Sequence, residues 1–242
     1  MHLEWFENST IMAAAAGAYV LAKLQENPRI NIALPTGSTP KGLYQFLSQQ
    51  AAGKNDFDQS QFFNLDEYVG WAQDNTYSFA AFLLTHFLHP ARVPAVRRHL
   101  LCGDAPDPQA EAHAYDATIV ACGGLDLAIL GLGENGHIAF NEPGTCWESN
   151  THIVSLTQQT RTANAAYLPP GVEVPTHGIT MGIATIRAAR NILLLVQGEA
   201  KRDALRALLA NKPDPQWPVT SLCDHPALTV LADRSLYVES KI

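Results

Sequence analysis

Short apolar runs, each followed by a stretch with helical punctuation, recur along this chain. "RINIAL" (29–34), "QFFNL" (61–65), "LDLAILGLG" (125–133), "NILLLVQG" (191–198) and "ALTVLAD" (227–233) read as strands. Between them, Ser9–Glu26, "KGLYQFLSQQAA" (41–52), "YSFAAFLLTHFL" (77–88), "DPQAEAHAYDATIVACGG" (107–124) and "EAKRDALRALLANKP" (199–213) read as helices. "GITMGIATIRAAR" (178–190) reads as a strand end turning into a helix. Runs that stay apolar without alternating belong to strands buried on both faces. Strands of this kind alternating with helices predict a doubly wound, Rossmann-like α/β fold, with a mostly parallel sheet and helices on both faces. We expect one such domain over residues 1–242.

Composition narrows the function classes. The chain has 242 residues, 47% hydrophobic and 16% charged, enough for a sizeable core. Its net charge is −7 and Lys and Arg form no basic run, which disfavours nucleic acid as a partner. No apolar run is long enough to span a membrane. "IMAAAAGAYVLAKL" follows an acidic, polar stretch and so reads as a folded helix, not as a signal peptide. Four scattered cysteines with no CxxC pair suggest reduced thiols in a cytoplasmic protein, with neither a zinc ribbon nor a disulfide framework.

In doubly wound sheets, ligands sit beyond the carboxyl ends of the strands. Four segments fall there: "LPTGSTP" (34–40), "NLDEYVG" (64–70), "GLGENGHIAFNEPG" (131–144) and "VQGEAK" (196–201). Gly131, Gly133 and Gly136 match GxGxxG. A dinucleotide site also needs a helix at that point and an acid about 20 residues on. Pro143 and Gly144 break any such helix, and no Asp or Glu lies between Ser149 and Val172. The glycines, Gly136 among them, instead let the backbone turn tightly against a ligand. His137 and Glu142, two ligands five apart without a Cys or His cluster, alone make a weak metal site. An acid paired with a histidine suits proton transfer. Gly37, Ser38 and Thr39 precede a helix opened by Pro40, a place that suits a phosphate monoester and equally a plain helix cap. Lys201 could add a positive charge. Of Asp66 and Glu67, one can be a general base at a strand end, or both can be acids of an exposed turn.

The same four segments occur in the same order in the glucosamine-6-phosphate deaminases, which this chain resembles over nearly its whole length. "NLDEYVG" and "NGHIAFNEPG" carry the resemblance. It implies conversion of glucosamine 6-phosphate and water to fructose 6-phosphate and ammonia, without metal or organic cofactor. Asp66 would take the C2 proton and return it at C1, and His137 would open the pyranose ring. Glu142 would pair with that histidine. Gly37, Ser38, Thr39 and Lys201 would cradle the phosphate. Related 6-phosphogluconolactonases usually read DER where this chain has Asp66-Glu67-Tyr68, and they lack "FNEPG".

The chain departs from the family pattern in three places. Asn135 stands where some members carry aspartate, so it can only orient His137 or a substrate hydroxyl. Ala166 stands where well-studied members have a phosphate-binding arginine, leaving a contact missing or supplied by Arg161. His152 and Val154 align with basic residues that bind an allosteric N-acetyl sugar phosphate, so no such activation is expected. Residues 150–174 are polar and are expected to form a loop-rich lid. The rival readings are a galactosamine-6-phosphate deaminase, a lactonase-type hydrolase and a non-catalytic sugar-phosphate sensor. The expected partner is a small-molecule sugar phosphate. The absence of a C-terminal extension found in hexameric relatives suggests a monomer or a small homo-oligomer.

Overall fold

The apolar runs pair side by side. A computed structural model describes residues 1–50, 57–166 and 168–237. Its strands are β1 (His2–Phe6), β2 (Asn31–Leu34), β3 (Gln61–Asn64), β4 (Asp66–Tyr68), β5 (Arg98–His99), β6 (Leu127–Gly131), β7 (His152–Ser155), β8 (His177–Thr180), β9 (Asn191–Val196) and β10 (Leu228–Asp233). Its α-helices are α1 (Ser9–Glu26), α2 (Lys41–Gln50), α3 (Phe79–Leu83), α4 (Pro108–Ala121), α5 (Gln158–Ala165), α6 (Ile183–Arg187) and α7 (Arg202–Leu209). The last two positions of the expected second helix, Ala51 and Ala52, lie outside the described residues, as does Tyr167 of the expected lid.

Seven strands form one sheet in the order β1-β10-β9-β6-β2-β3-β5, and every pairing in it is parallel. The central strands are buried on both faces, and alternate residues serve opposite cores. On β6, Leu127 and Ile129 join the cluster beneath α1 and α2, while Ala128 and Leu130 join the cluster beneath α4 and α7. Helix α1 offers Met12, Ala16, Val20 and Leu24 to the first cluster, a stripe at helical spacing. Its start is set by the Asn8 side chain, which accepts from Ile11 N–H at 3.0 Å. Helix α4 begins at Asp107, which caps it, and Pro108, whose missing N–H costs nothing there. The predicted doubly wound, mostly parallel fold is the one observed.

The differences lie in the short elements. A second sheet, β4-β8-β7, is antiparallel and was not legible as strands except for β8. β4 spans three residues and β5 two, too short for a period-2 pattern. β1 pairs on one side only, and its mixed sequence "HLEWF" lacks an apolar run. The helix expected over 77–88 starts at Phe79 and widens into a π turn over Leu84–Leu88. The segment 150–174, read as loop-rich, contains β7 and α5. Helix α5 is polar and buries Thr160 alone, so apolar periodicity could not reveal it.

Candidate active site

The chain leaves β2 towards β3 and β5, and leaves β6 towards β9 and β10 on the other side. β2 and β6 are neighbours, so a crevice opens beyond their carboxyl ends, where doubly wound folds bind ligands. A cleft of ≈ 910 Å³ lies there. Gly37, Ser38 and Thr39 from the loop after β2 line it, with Asp66, Asn135, His137 and Lys201. The four segments picked from the sequence therefore converge. Two predicted residues do not reach the cleft wall. Glu142 lies behind it, 6% exposed. Gly136 turns the loop at φ +82° and packs against Trp217, with its carbonyl accepting from Val219 N–H at 2.9 Å. It shapes the loop and does not contact the cleft.

The structure separates the two acids of "DEY". Glu67 is fully buried, and its carboxylate accepts from the N–H groups of Tyr68, Phe79 and Ala80 at 2.9–3.0 Å. It anchors the start of α3 and is a structural acid. Burial pushes it up to about 7 against those three donors. Asp66, 7% exposed, lines the cleft instead. Burial, then the neighbouring Glu67 charge, pushes Asp66 up to about 8. The corner that aims it is held by Asn64, whose Nδ2 donates to the Asp66 carbonyl at 2.8 Å and whose Oδ1 accepts from Leu101 N–H at 2.9 Å.

His137 and Glu142 are not in direct hydrogen-bond contact, since Nδ1 and Oε2 are 4.0 Å apart. Asn135 joins them. Its Nδ2 donates to Glu142 Oε2 at 2.7 Å, and its Oδ1 lies 2.7 Å from His137 Nδ1. A carboxylate can only accept, which turns the amide nitrogen to Glu142 and the amide oxygen to His137. Nδ1 must then carry the proton, leaving Nε2 with a free lone pair. Burial lowers the His137 pKa, with Glu142 opposing and Lys201 adding to the effect. The expected His–Glu pair is thus a His–Asn–Glu relay, and Asn135 orients the imidazole as its chemistry requires. Gly133 makes the arrangement possible: a Cβ there would sit 2.3 Å from His137 Nδ1.

Around Gly37–Thr39 the cleft carries a cation and an imidazole that sequence reasoning missed. Lys41, in the first turn of α2, and His86, in the π turn, both line it. Lys41 Nζ lies 5.6 Å from the centroid of the Phe82 ring, and that ring lies tilted against His86 with centroids 4.5 Å apart. Burial and then the Lys41 charge hold His86 below the usual imidazole value. Lys201 is 3.7 Å from the Glu134 carboxylate. Arg161 does not fill the place of the missing arginine: its Nε and Nη2 donate to the Val174 carbonyl at 3.3 Å, and it does not line the cleft. Among the described residues, no group of three or more His, Cys, Asp or Glu could hold a metal ion, and no helix is long and apolar enough to cross a membrane.

Residues 7–230 match the family described as Glucosamine-6-phosphate isomerases/6-phosphogluconolactonase. The chain belongs to this family. Within it, the chain is 39% identical to the glucosamine-6-phosphate deaminase of Shouchella clausii over 96% of this chain and 95% of that one. It is 40% identical to the glucosamine-6-phosphate deaminase of Lysinibacillus sphaericus, over 95% and 98%. A solved structure of a monomeric glucosamine-6-phosphate deaminase superposes with a TM-score of 0.94 at 35% identity, covering 98% of both chains. The 6-phosphogluconolactonase of Trypanosoma cruzi shares the fold at a TM-score of 0.76 and 20% identity, covering 100% of this chain and 97% of that one.

Proposed function

We infer that this chain is a glucosamine-6-phosphate deaminase, working as one domain over residues 1–242. One observation carries the reading: a buried acid, Asp66, and an imidazole with a bare Nε2, His137, face one cleft beside a phosphate seat. The deaminase relatives, similar over nearly full length, support it.

The chemistry follows from these groups. Backbone N–H groups and hydroxyls of Gly37, Ser38 and Thr39 hold the phosphate, with Lys41 and Lys201 supplying charge. Binding there fixes the sugar so that remote groups can act. His137 Nε2 takes the proton of the anomeric hydroxyl and delivers it to the ring oxygen as the C1–O5 bond breaks. Asp66 takes the C2 proton of the open aldose while the substrate's own ammonium group gives a proton to O1, producing a neutral enolamine, and Asp66 then returns the C2 proton to C1. The resulting C2 iminium adds water, and ammonia leaves to give the ketose phosphate. Glu142 stabilises the imidazolium through Asn135. Each positioned acid or base contributes about 10²–10⁴-fold.

The protein works as a monomer or small homo-oligomer on this reading, supported by the structural similarity to a monomeric deaminase. Its four cysteines are all free, which suits a reducing, cytoplasmic setting. The test is ammonia release from glucosamine 6-phosphate, run in parallel with galactosamine 6-phosphate. Release from the first sugar is the expected result, and release from the second alone moves the substrate by one epimeric hydroxyl. No release from either, with hydrolysis of 6-phosphogluconolactone instead, overturns the reading.

A further inference from the structure

The Glu142 carboxylate has two oxygens and two sets of partners. Oε2 accepts from Asn135 and so belongs to the His137 relay. Oε1 faces the other way, into helix α5. Thr160 Oγ1 donates to it, and Thr157 Oγ1 lies 3.3 Å from the same oxygen. Thr157 also caps α5, accepting from Thr160 N–H at 3.2 Å. The two threonines therefore present the N-terminal turn of α5 to the acid, where a negative charge is favoured. Thr160 is 3% exposed, so its hydroxyl reaches the acid in a buried setting.

The same helix is a wall of the cleft, to which it contributes Gln159, Thr160, Ala163 and Asn164. Asn164 Nδ2 donates to the Tyr68 hydroxyl at 2.8 Å, tying α5 to the strand that carries Asp66. α5 thus bridges the two catalytic groups. Few apolar contacts hold it: its one buried residue is Thr160.

We propose that Thr160 is a positioning residue for ring opening, and that the seating of α5 sets the His137 relay through Glu142. With α5 in place, both carboxylate oxygens are occupied and the acid has one orientation. Asn135 then has one orientation, and His137 one tautomer. With the Thr160 hydroxyl gone, Glu142 keeps Asn135 but loses a donor on the far side, where Thr157 at 3.3 Å is left. It then turns about its last side-chain bond, and the amide between acid and imidazole is no longer held. The inference rests on the deaminase reading, and it gives the polar lid segment a chemical task beyond covering the cleft.

The test compares Thr160→Val, which keeps shape and removes the hydroxyl, with Thr160→Ser, which restores it. Three readouts are taken: ammonia release, thermal unfolding, and the nitrogen NMR signals of His137, assigned by their loss in His137→Gln. We expect Thr160→Val to lower kcat by about tenfold or more with KM within about twofold. Its His137 signals should move from the single Nδ1–H tautomer to a mixture. Thr160→Ser should behave as wild type in both. A Thr160→Val enzyme with wild-type kcat and an unchanged His137 tautomer overturns the proposal. So does a fall in kcat that Thr160→Ser fails to rescue. Failure of the deaminase reading looks different: wild-type protein then releases no ammonia, while the NMR comparison still decides whether Thr160 sets the imidazole.

Discussion

The large sheet is parallel in every pairing and carries an apolar cluster on each face, whereas the small sheet β4-β8-β7 is antiparallel and packs a cluster of Tyr68, Phe140, Leu156 and Val174. The large sheet is held by aliphatic burial. The small one shares that burial through Ile179 and adds directional polar contacts: Glu67 accepts at the start of α3, Asn164 donates to Tyr68, and Phe140 N–H donates to Thr180 Oγ1. Asp66 and His137, the proposed catalytic groups, line one cleft where the two regions meet. The lesson is a division of labour. Apolar burial makes a stiff frame that fixes the switch-point crevice, and polar hydrogen bonds, which are directional, aim the acid and the imidazole.

The largest expected effect tests the acid at that junction. Asp66→Asn should lower ammonia release by about 10²–10⁴-fold. It should also stabilise the fold in base. The folded-state value of Asp66 is raised above its ordinary 3.8, to about 8, so the wild-type fold loses stability as pH rises through that window. The asparagine variant lacks this loss, and thermal unfolding at about pH 9 should show it melting above wild type. The same carboxyl must be ionised to act, so kcat/KM of the wild type should rise with pH up to about 8. An acid limb near the ordinary carboxylate value would break the assignment.

Next comes the frame. Leu194 on β9 is fully buried. Leu194→Ala should cost about 2–5 kcal/mol by denaturant unfolding, while the folded fraction keeps the wild-type KM. A changed KM with little loss of stability would show that frame and site are not separate. Glu142→Gln should then lower kcat by about 10²-fold with little change in stability, since an amide can still bond to Thr160 but cannot steady an imidazolium. The smallest effect belongs to the phosphate seat. Lys41→Ala should raise KM by roughly fivefold and leave kcat unchanged, the scale of an exposed charge worth about 1 kcal/mol. An unchanged KM would leave the phosphate to Gly37–Thr39 and Lys201.

Much of this could be read directly from residue order. Apolar runs of strand length such as "NILLLV", alternating with helices, read as strands covered on both faces, which points to a parallel sheet, helices on both sides and a ligand site beyond the carboxyl ends. That rule gathered the segments that hold Gly37–Thr39, Asp66, Glu67, His137 and Lys201, and the resemblance to the deaminases then picked Asp66 over Glu67. Tertiary structure decided what local pattern cannot encode. By residue type and position alone Asp66 and Glu67 have equal claims; β4 pleats and sends one side chain to the cleft and the other beneath α3, giving the resemblance's choice its physical reason. Asn135 becomes a relay only when the turn after β6 brings it between His137 and Glu142. Helix α5 has too little apolar periodicity to announce itself, and Thr160 acquires meaning only from a carboxylate 18 positions away in the chain. Apolar burial repeats along the sequence and is legible there; a hydrogen bond between distant residues depends on where folding places both of its ends.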